Sequence, residues 1–334
     1  MKLTTVASAL TLAAGAMAAK SPPKHNSRNW KGWEKAKTAF IFGDSYTQTG
    51  FNVSLEQPNA ANPLGNPAYP GWTSSNGPNW VGYLTTKYNA TANLRTYNLA
   101  DGGATVDSDL VAPWKPTVRS LVDQVTDGFL PNYGDRSAAR WSPETTVFGI
   151  WIGINDVGNS FWSGRESNEV LYAKIFDVYR GLVDDLYGAG ARNFVFLNVP
   201  AIQRSPLTLG QGEQAIALEI EALEQFNGLV DQLAGDLKAE KKKEVNVWVH
   251  DTFKAFTEIL DDPASHAQTA GYKNVTGYCE EYQNGTPEWD TFIESCGYAV
   301  NEYFWLNSLH PTYPAQEVIA EGVAKLLRGP PNVV

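Results

Sequence analysis

Ala39-Phe40-Ile41-Phe42-Gly43-Asp44-Ser45-Tyr46 is the stretch on which the fold turns. Its first four residues form a continuous apolar run that stops at a glycine, the pattern of a strand buried on both faces. The pattern returns in Val147-Phe148-Gly149-Ile150-Trp151-Ile152, the strongest such run, in Phe194-Val195-Phe196-Leu197 and in Val245-Asn246-Val247-Trp248-Val249. A further strand is expected from Leu94 to Leu99, after a helix-like stretch from Trp80 to Tyr88. From Gly212 to Lys238, Ile216, Ile220, Leu223, Phe226, Val230, Leu233 and Leu237 recur at helical spacing. A last helix is expected from Val318 to Leu327, before Pro330. Five strands separated by helices describe an α/β fold with a parallel sheet covered on both faces. No linker-like segment and no repeat divides the chain, so residues 19–334 are expected to form one domain.

The 334 residues are 43% hydrophobic and 19% charged, a mix that excludes a disordered chain, a collagen and a coiled coil. The net charge is −10 and the basic residues form no large cluster, so neither nucleic acid nor an anionic membrane is an expected partner. Lys2, the apolar run Val6 to Ala14 and Ala16-Met17-Ala18 have the layout of a signal peptide over residues 1–18. The run is too short for an anchor, and a secreted, extracellular, monomeric protein is expected. Cys279 and Cys296 are the only cysteines. In an oxidising compartment their default is one disulfide, the rival reading being two free thiols. Sequons begin at Asn52, Asn89, Asn274 and Asn284, of which some are expected to carry glycan.

The long irregular stretches Asn52 to Pro78 and Asp262 to Asn301 suggest functional loops. In parallel sheets the ligand crevice lies at the carboxyl ends of the strands. Three loops there carry polar residues. Gly43-Asp44-Ser45-Tyr46 offers a serine at an expected strand-to-helix turn, where a helix dipole would favour developing negative charge; the bland reading is an N-cap. Asn98-Leu99-Ala100-Asp101-Gly102-Gly103-Ala104-Thr105 lets backbone N–H groups approach a ligand, or is a tight turn. Gly153-Ile154-Asn155-Asp156 offers an amide donor, or an Asx turn.

His310 stands in Asn307-Ser308-Leu309-His310-Pro311-Thr312, before the last helix. Of the other histidines, His25 and His266 read as solvated, and His250 as a structural partner of Asp251. The chain has no metal-binding or nucleotide-binding pattern and no Gly-x-Ser-x-Gly elbow, so no metal and no cofactor is expected.

Phe-Gly-Asp-Ser-Tyr, Asn-Leu-Ala-Asp-Gly-Gly-Ala-Thr, Gly-Ile-Asn-Asp and the terminal His-Pro-Thr, in that order, resemble the blocks of the SGNH or GDSL hydrolases, from about Phe40 to Leu327. The resemblance implies a three-layer α/β/α sandwich with a five-stranded, mostly parallel sheet. It implies Ser45 as nucleophile, His310 as general base, and the Ser45 N–H, the Gly103 N–H and the Asn155 side chain as oxyanion donors. Within the superfamily the secreted, tryptophan-rich chain most resembles the fungal acetylesterases of carbohydrate esterase family 16.

The family usually has Asp three residues before the histidine, where this chain has Asn307, and Tyr46 stands where Leu is common. An amide can hold the imidazole tautomer but cannot stabilise the imidazolium, and in serine proteases the Asp-to-Asn change costs about 10⁴ in turnover. Asn307 therefore serves as a weaker orienting residue, or a backbone carbonyl or another acid (Glu302 or Asp290) assists, or activity is low. The implied function is hydrolysis of short acyl esters, acetylated xylo-oligosaccharides or other plant cell-wall sugars first, with Trp72, Trp162 and Trp305 each read either as stacking on sugar rings or as core packing. The alternatives are a lipase or lysophospholipase with an apolar acyl groove, and an inactive carbohydrate-binding protein.

Overall fold

The computed structural model describes residues 29–89, 93–162, 164 and 167–333. Residues 1–18, read as a signal peptide, and His25 lie outside them. Five strands, β1 (Thr38–Gly43), β2 (Arg95–Asn98), β3 (Thr146–Trp151), β4 (Asn193–Leu197) and β5 (Asn246–His250), form one sheet in the order β2-β1-β3-β4-β5. All four pairings are parallel. Every residue of β1, β3 and β4 is buried, as continuous apolar runs require when helices cover both faces.

Side-chain alternation sorts the two faces. Phe40 packs on Phe129, Tyr133 and Trp141, Phe196 on Tyr179, and Tyr172 and Phe176 on Phe226. That side carries the helical segment 121–133 and the helices Asn168–Ala189 and Glu213–Lys241. On the other, Trp151 meets Trp80 and Tyr46, and Tyr46 meets Phe256. There lie the helices Trp80–Thr86, Thr252–Asp261 and Tyr313–Arg328. The protein is a three-layer α/β/α sandwich.

Asn168–Ala189 is absent from the elements expected above, although Leu171, Ile175, Val178, Leu182 and Leu186 follow helical spacing. The helix expected directly after Ser45 does not form. Thr47 and Gln48 both donate to Asp44 O, closing a turn, and the chain then leaves as the long loop. Thr47, Thr49 and Gly50 are poor helix formers, which accounts for the difference.

The sheet order reverses at β1, between connections running to β2 and to β3. A crevice opens at that switch point, outside the carboxyl ends of the strands. Pairing of Gly43 with Trp151 aligns the ends of β1 and β3. Beyond β2, Leu99 N–H donates to Ile41 O (2.8 Å) and Asp101 N–H to Gly43 O (3.1 Å), which brings Gly103 beside the turn that holds Ser45.

Cys279 and Cys296 are joined in a disulfide. They cover a small apolar cluster of Tyr282, Val300, Tyr303 and Leu306 beneath the loop that leads to His310. Asn52 and Asn284 are exposed, and Asn89 and Asn274 are half-buried. Among the described residues no helix is long and apolar enough to cross a membrane.

Candidate active site

The turn after β1 is braced from three directions. Gln124, in a π-helical turn spanning Gln124–Phe129, accepts from Gly43 N–H at 2.9 Å and donates to Gly43 O at 2.8 Å. Asn79 caps the helix Trp80–Thr86 by accepting from Val81 and Gly82 N–H, and donates to Thr47 O and Gln48 O, both at 2.8 Å. Asn98 donates to Thr47 O at 2.6 Å. Tyr46 donates its hydroxyl to Leu309 O at 2.5 Å, tying the serine turn to the histidine segment. The tyrosine at this position is thus a structural strut.

His310 Nε2 lies 2.7 Å from Ser45 Oγ. On the far side of the ring, Nδ1 lies 2.9 Å from Asn307 Oδ1. That oxygen also accepts from the backbone N–H groups of Leu309 (3.1 Å) and His310 (2.9 Å), so the amide presents its oxygen to the ring. Its NH₂ donates to Gln283 O at 3.4 Å, inside the disulfide-closed loop. An acceptor at Nδ1 places the ring proton there and leaves Nε2 free to accept from the serine hydroxyl. Burial pushes the imidazole down to about 4, and the facing amide carries no charge to oppose it. Glu302 is engaged by Lys273 Nζ (2.6 Å) and Ala299 N–H (2.9 Å), and Asp290 is exposed; the ring nitrogen faces Asn307 instead of either acid.

Neither the Ser45 nor the Gly103 backbone N–H has a protein acceptor among the described residues. Gly103 has φ +90°, a conformation that strains any side chain, and a Cβ there would come within 2.3 Å of Trp114. Asn155 donates one amide hydrogen to Ala104 O at 2.9 Å, which fixes the group and leaves its second hydrogen available. Gly153, at φ +119°, starts the helix that carries Asn155, and a Cβ on it would collide with Phe226. Ser45, Gly103, Asn155 and His310 line one cavity of about 510 Å³, together with Gln48, Ser74, Asp101, Gly102, Trp114, Lys115 and Leu309. Sequence reasoning missed Gln48, Trp114 and Lys115, which no motif marks.

Two buried carboxyls stand behind the site. Asp44 accepts from Tyr46 N–H at 3.0 Å with one oxygen, while the other has no partner. Burial pushes it up to about 8, with Asp156 adding to the shift. Burial pushes Asp156 up to about 7 although both its oxygens accept from Val106 N–H. Burial thus works against a negative charge on Asp44 beside Ser45.

Three expectations are corrected. Trp305 is fully buried and donates to Val275 O, so it belongs to the core and not to the crevice. Trp162 is half-exposed, bonded to Gln211, and does not line the cavity. His250 makes no hydrogen bond to Asp251, which instead caps the helix Thr252–Asp261; the ring Nε2 is buried without a partner against Gly322. Trp72 borders a second hollow that adjoins the cavity.

The sequence model of the GDSL-like lipase/acylhydrolase family matches residues 40–323. An acetylesterase from Thermothelomyces thermophilus is 37% identical over 298 residues, covering 88% of this chain and 89% of the relative. An acetylesterase from Hypocrea jecorina is 25% identical over 325 residues, with the same coverage of 88% and 89%. A solved acetylxylan esterase mutant from Geobacillus stearothermophilus aligns at 16% identity and a TM-score of 0.48, covering 87% of this chain and 94% of that one. The chain belongs to the GDSL-like lipase/acylhydrolase family and is a carboxylic ester hydrolase.

Proposed function

We propose that the protein removes short acyl groups, acetyl first, from sugar hydroxyls, as in the acetylesterases of carbohydrate esterase family 16, with acetylated xylo-oligosaccharides as the leading substrate. The observation that carries this reading is the unbroken Ser45–His310–Asn307 chain at the wall of a cavity lined mainly by polar groups and glycines. A long acyl chain would need an extended apolar groove, whereas an acetyl group needs little room and a sugar needs polar partners.

In this reading Ser45 Oγ attacks the carbonyl carbon while His310 Nε2 takes the hydroxyl proton. The carbonyl oxygen becomes an oxyanion held by the Ser45 N–H, the Gly103 N–H and Asn155 Nδ2, each donor worth up to about 3 kcal/mol. His310 returns its proton to the sugar oxygen as the C–O bond breaks, leaving acyl-Ser45. Water, deprotonated by His310, repeats the sequence and releases the acid. The disulfide and the exposed sequons at Asn52 and Asn284 support an extracellular site of action.

The test compares acetylated xylotriose with a long-chain 4-nitrophenyl ester, using the enzyme and Ser45→Ala. Strong turnover of the acetylated sugar, lowered about 10³-fold or more by Ser45→Ala, is expected. Preference for the long-chain ester supports the lipase alternative, and loss-free turnover in Ser45→Ala rejects the nucleophile.

A further inference from the structure

Next to the catalytic cavity lies a second hollow of about 470 Å³, and the two share Gln48 and Asp101 as a common floor. Trp72 borders the second hollow, and at 73% exposure it is the most exposed large apolar side chain among the described residues. Its position is nevertheless set. Its backbone N–H donates to Thr49 O at 2.9 Å, which fixes the residue in the loop, and its ring lies on Gly50, where a Cβ would come within 2.6 Å of Cε3. Gly50 has φ +79°, so the bare backbone beneath the ring is built into the loop. An indole held this way without being covered is a stacking platform.

The floor supplies the complementary chemistry. Gln48 is held by Ser74 Oγ at 3.3 Å. Asp101 accepts from Arg119 through both its backbone N–H (3.0 Å) and Nε (3.3 Å), which leaves oriented polar groups between Ser45 and Trp72. A pyranose presents C–H faces that suit an indole and hydroxyls that suit an amide and a carboxylate. A long alkyl chain would leave those polar groups unpaired, at a cost.

Resting on the sugar-ester reading above, we propose that the leaving saccharide runs from the Ser45 cavity across Gln48 and Asp101 and stacks a neighbouring sugar ring on Trp72, so that the enzyme selects oligosaccharide esters over monosaccharide esters. Asn52 edges the same hollow and begins a sequon, so all variants are compared in an Asn52→Gln background, where a glycan cannot cover the platform.

The readout is the ratio of kcat/KM for mono-acetylated xylotriose to that for mono-acetylated xylose. A ratio of about ten or more is expected, falling toward one in Trp72→Ala mainly through a higher KM for the trimer, with Trp72→Phe keeping most of the preference. A ratio near one in the parent, or an unchanged ratio in Trp72→Ala, overturns the platform while leaving the sugar-ester reading intact. Hydrolysis of 4-nitrophenyl acetate with neither sugar ester turned over overturns the sugar-ester reading itself.

Discussion

In the proposed mechanism Asn307 decides how His310 works. Its oxygen collects two backbone N–H groups and the ring N–H, so the amide holds the tautomer and contributes no countercharge. In the proposed mechanism His310 is the base, which requires it to be neutral. With its pKa pushed down to about 4, kcat/KM should hold its plateau to about pH 5 and fall on an acid limb centred near 4. Asn307→Asp supplies an anion beside the ring, which raises the imidazole pKa and moves that limb upward by a unit or more. Turnover at pH 7 should rise about tenfold, since the imidazolium formed in the transition state is then stabilised. The exchange also sets a carboxylate oxygen against Gln283 O, now 3.4 Å from the amide nitrogen, which limits the gain. A pH–rate profile of both forms checks this, and an unmoved acid limb would mean that the limb belongs to another group.

Among the elements, the loops after the strands are tied down by buried amides that take the place of helical hydrogen bonds. Asn79, Asn98 and Gln124 together satisfy four backbone groups around Ser45. The disulfide acts at this scale too. It closes a loop of 17 residues' separation that carries Gln283, the acceptor for Asn307, and covers the apolar cluster under the histidine segment. Replacing both cysteines with serine should cost about 3 kcal/mol of stability by loop entropy. It should also lower kcat several-fold at temperatures where the fold persists, because Asn307 loses a fixed neighbour. Denaturant titration and steady-state kinetics on the double variant test the two effects separately; a stability loss with unchanged kcat would confine the disulfide to a role in folding.

Across the whole molecule, buried titratable groups set the pH dependence of stability. Burial pushes Asp44 up to about 8 from 3.8, and Asp156 and Glu219 up to about 7 from 3.8 and 4.5. A carboxyl raised on folding binds its proton more tightly in the folded state. Its contribution is full below the unfolded value and is lost as pH rises through the folded one. His250 and His310, both pushed down by burial from 6.5 to about 4, act in the opposite sense and lose their contribution as pH falls through that window. From about pH 4.5 to 6.5 the three carboxyls outweigh the two imidazoles, so the summed contribution falls gently, and above that the carboxyl loss stands alone. The melting temperature should therefore decline slowly from about pH 4.5 and more steeply from about pH 6.5 toward pH 8. Glu219, with one buried oxygen unpartnered, is the simplest group to remove. Calorimetry of Glu219→Gln should show a shallower decline, and an equally steep one would assign the loss to the other carboxyls.

The sequence by itself determined the sheet and the four blocks at its edge. Continuous apolar runs such as Phe40–Phe42 and Val147–Ile152 have one stable destination, a parallel sheet with helices on both faces, and the residues after them must then share one crevice. The helix Asn168–Ala189 was equally legible in its periodicity, though absent from the elements read there. Other features depend on contacts across hundreds of residues, which no local pattern encodes. Only the tertiary structure decided that Tyr46 ties the serine turn to Leu309, that Glu302 is engaged by Lys273 and not by the ring, and that Trp305 is core while Trp72 is open. Burial, exposure and the side of an amide that meets a neighbour belong to the packed molecule. They are set by which surfaces remain after the core has closed, and a chain read in one dimension holds no measure of that.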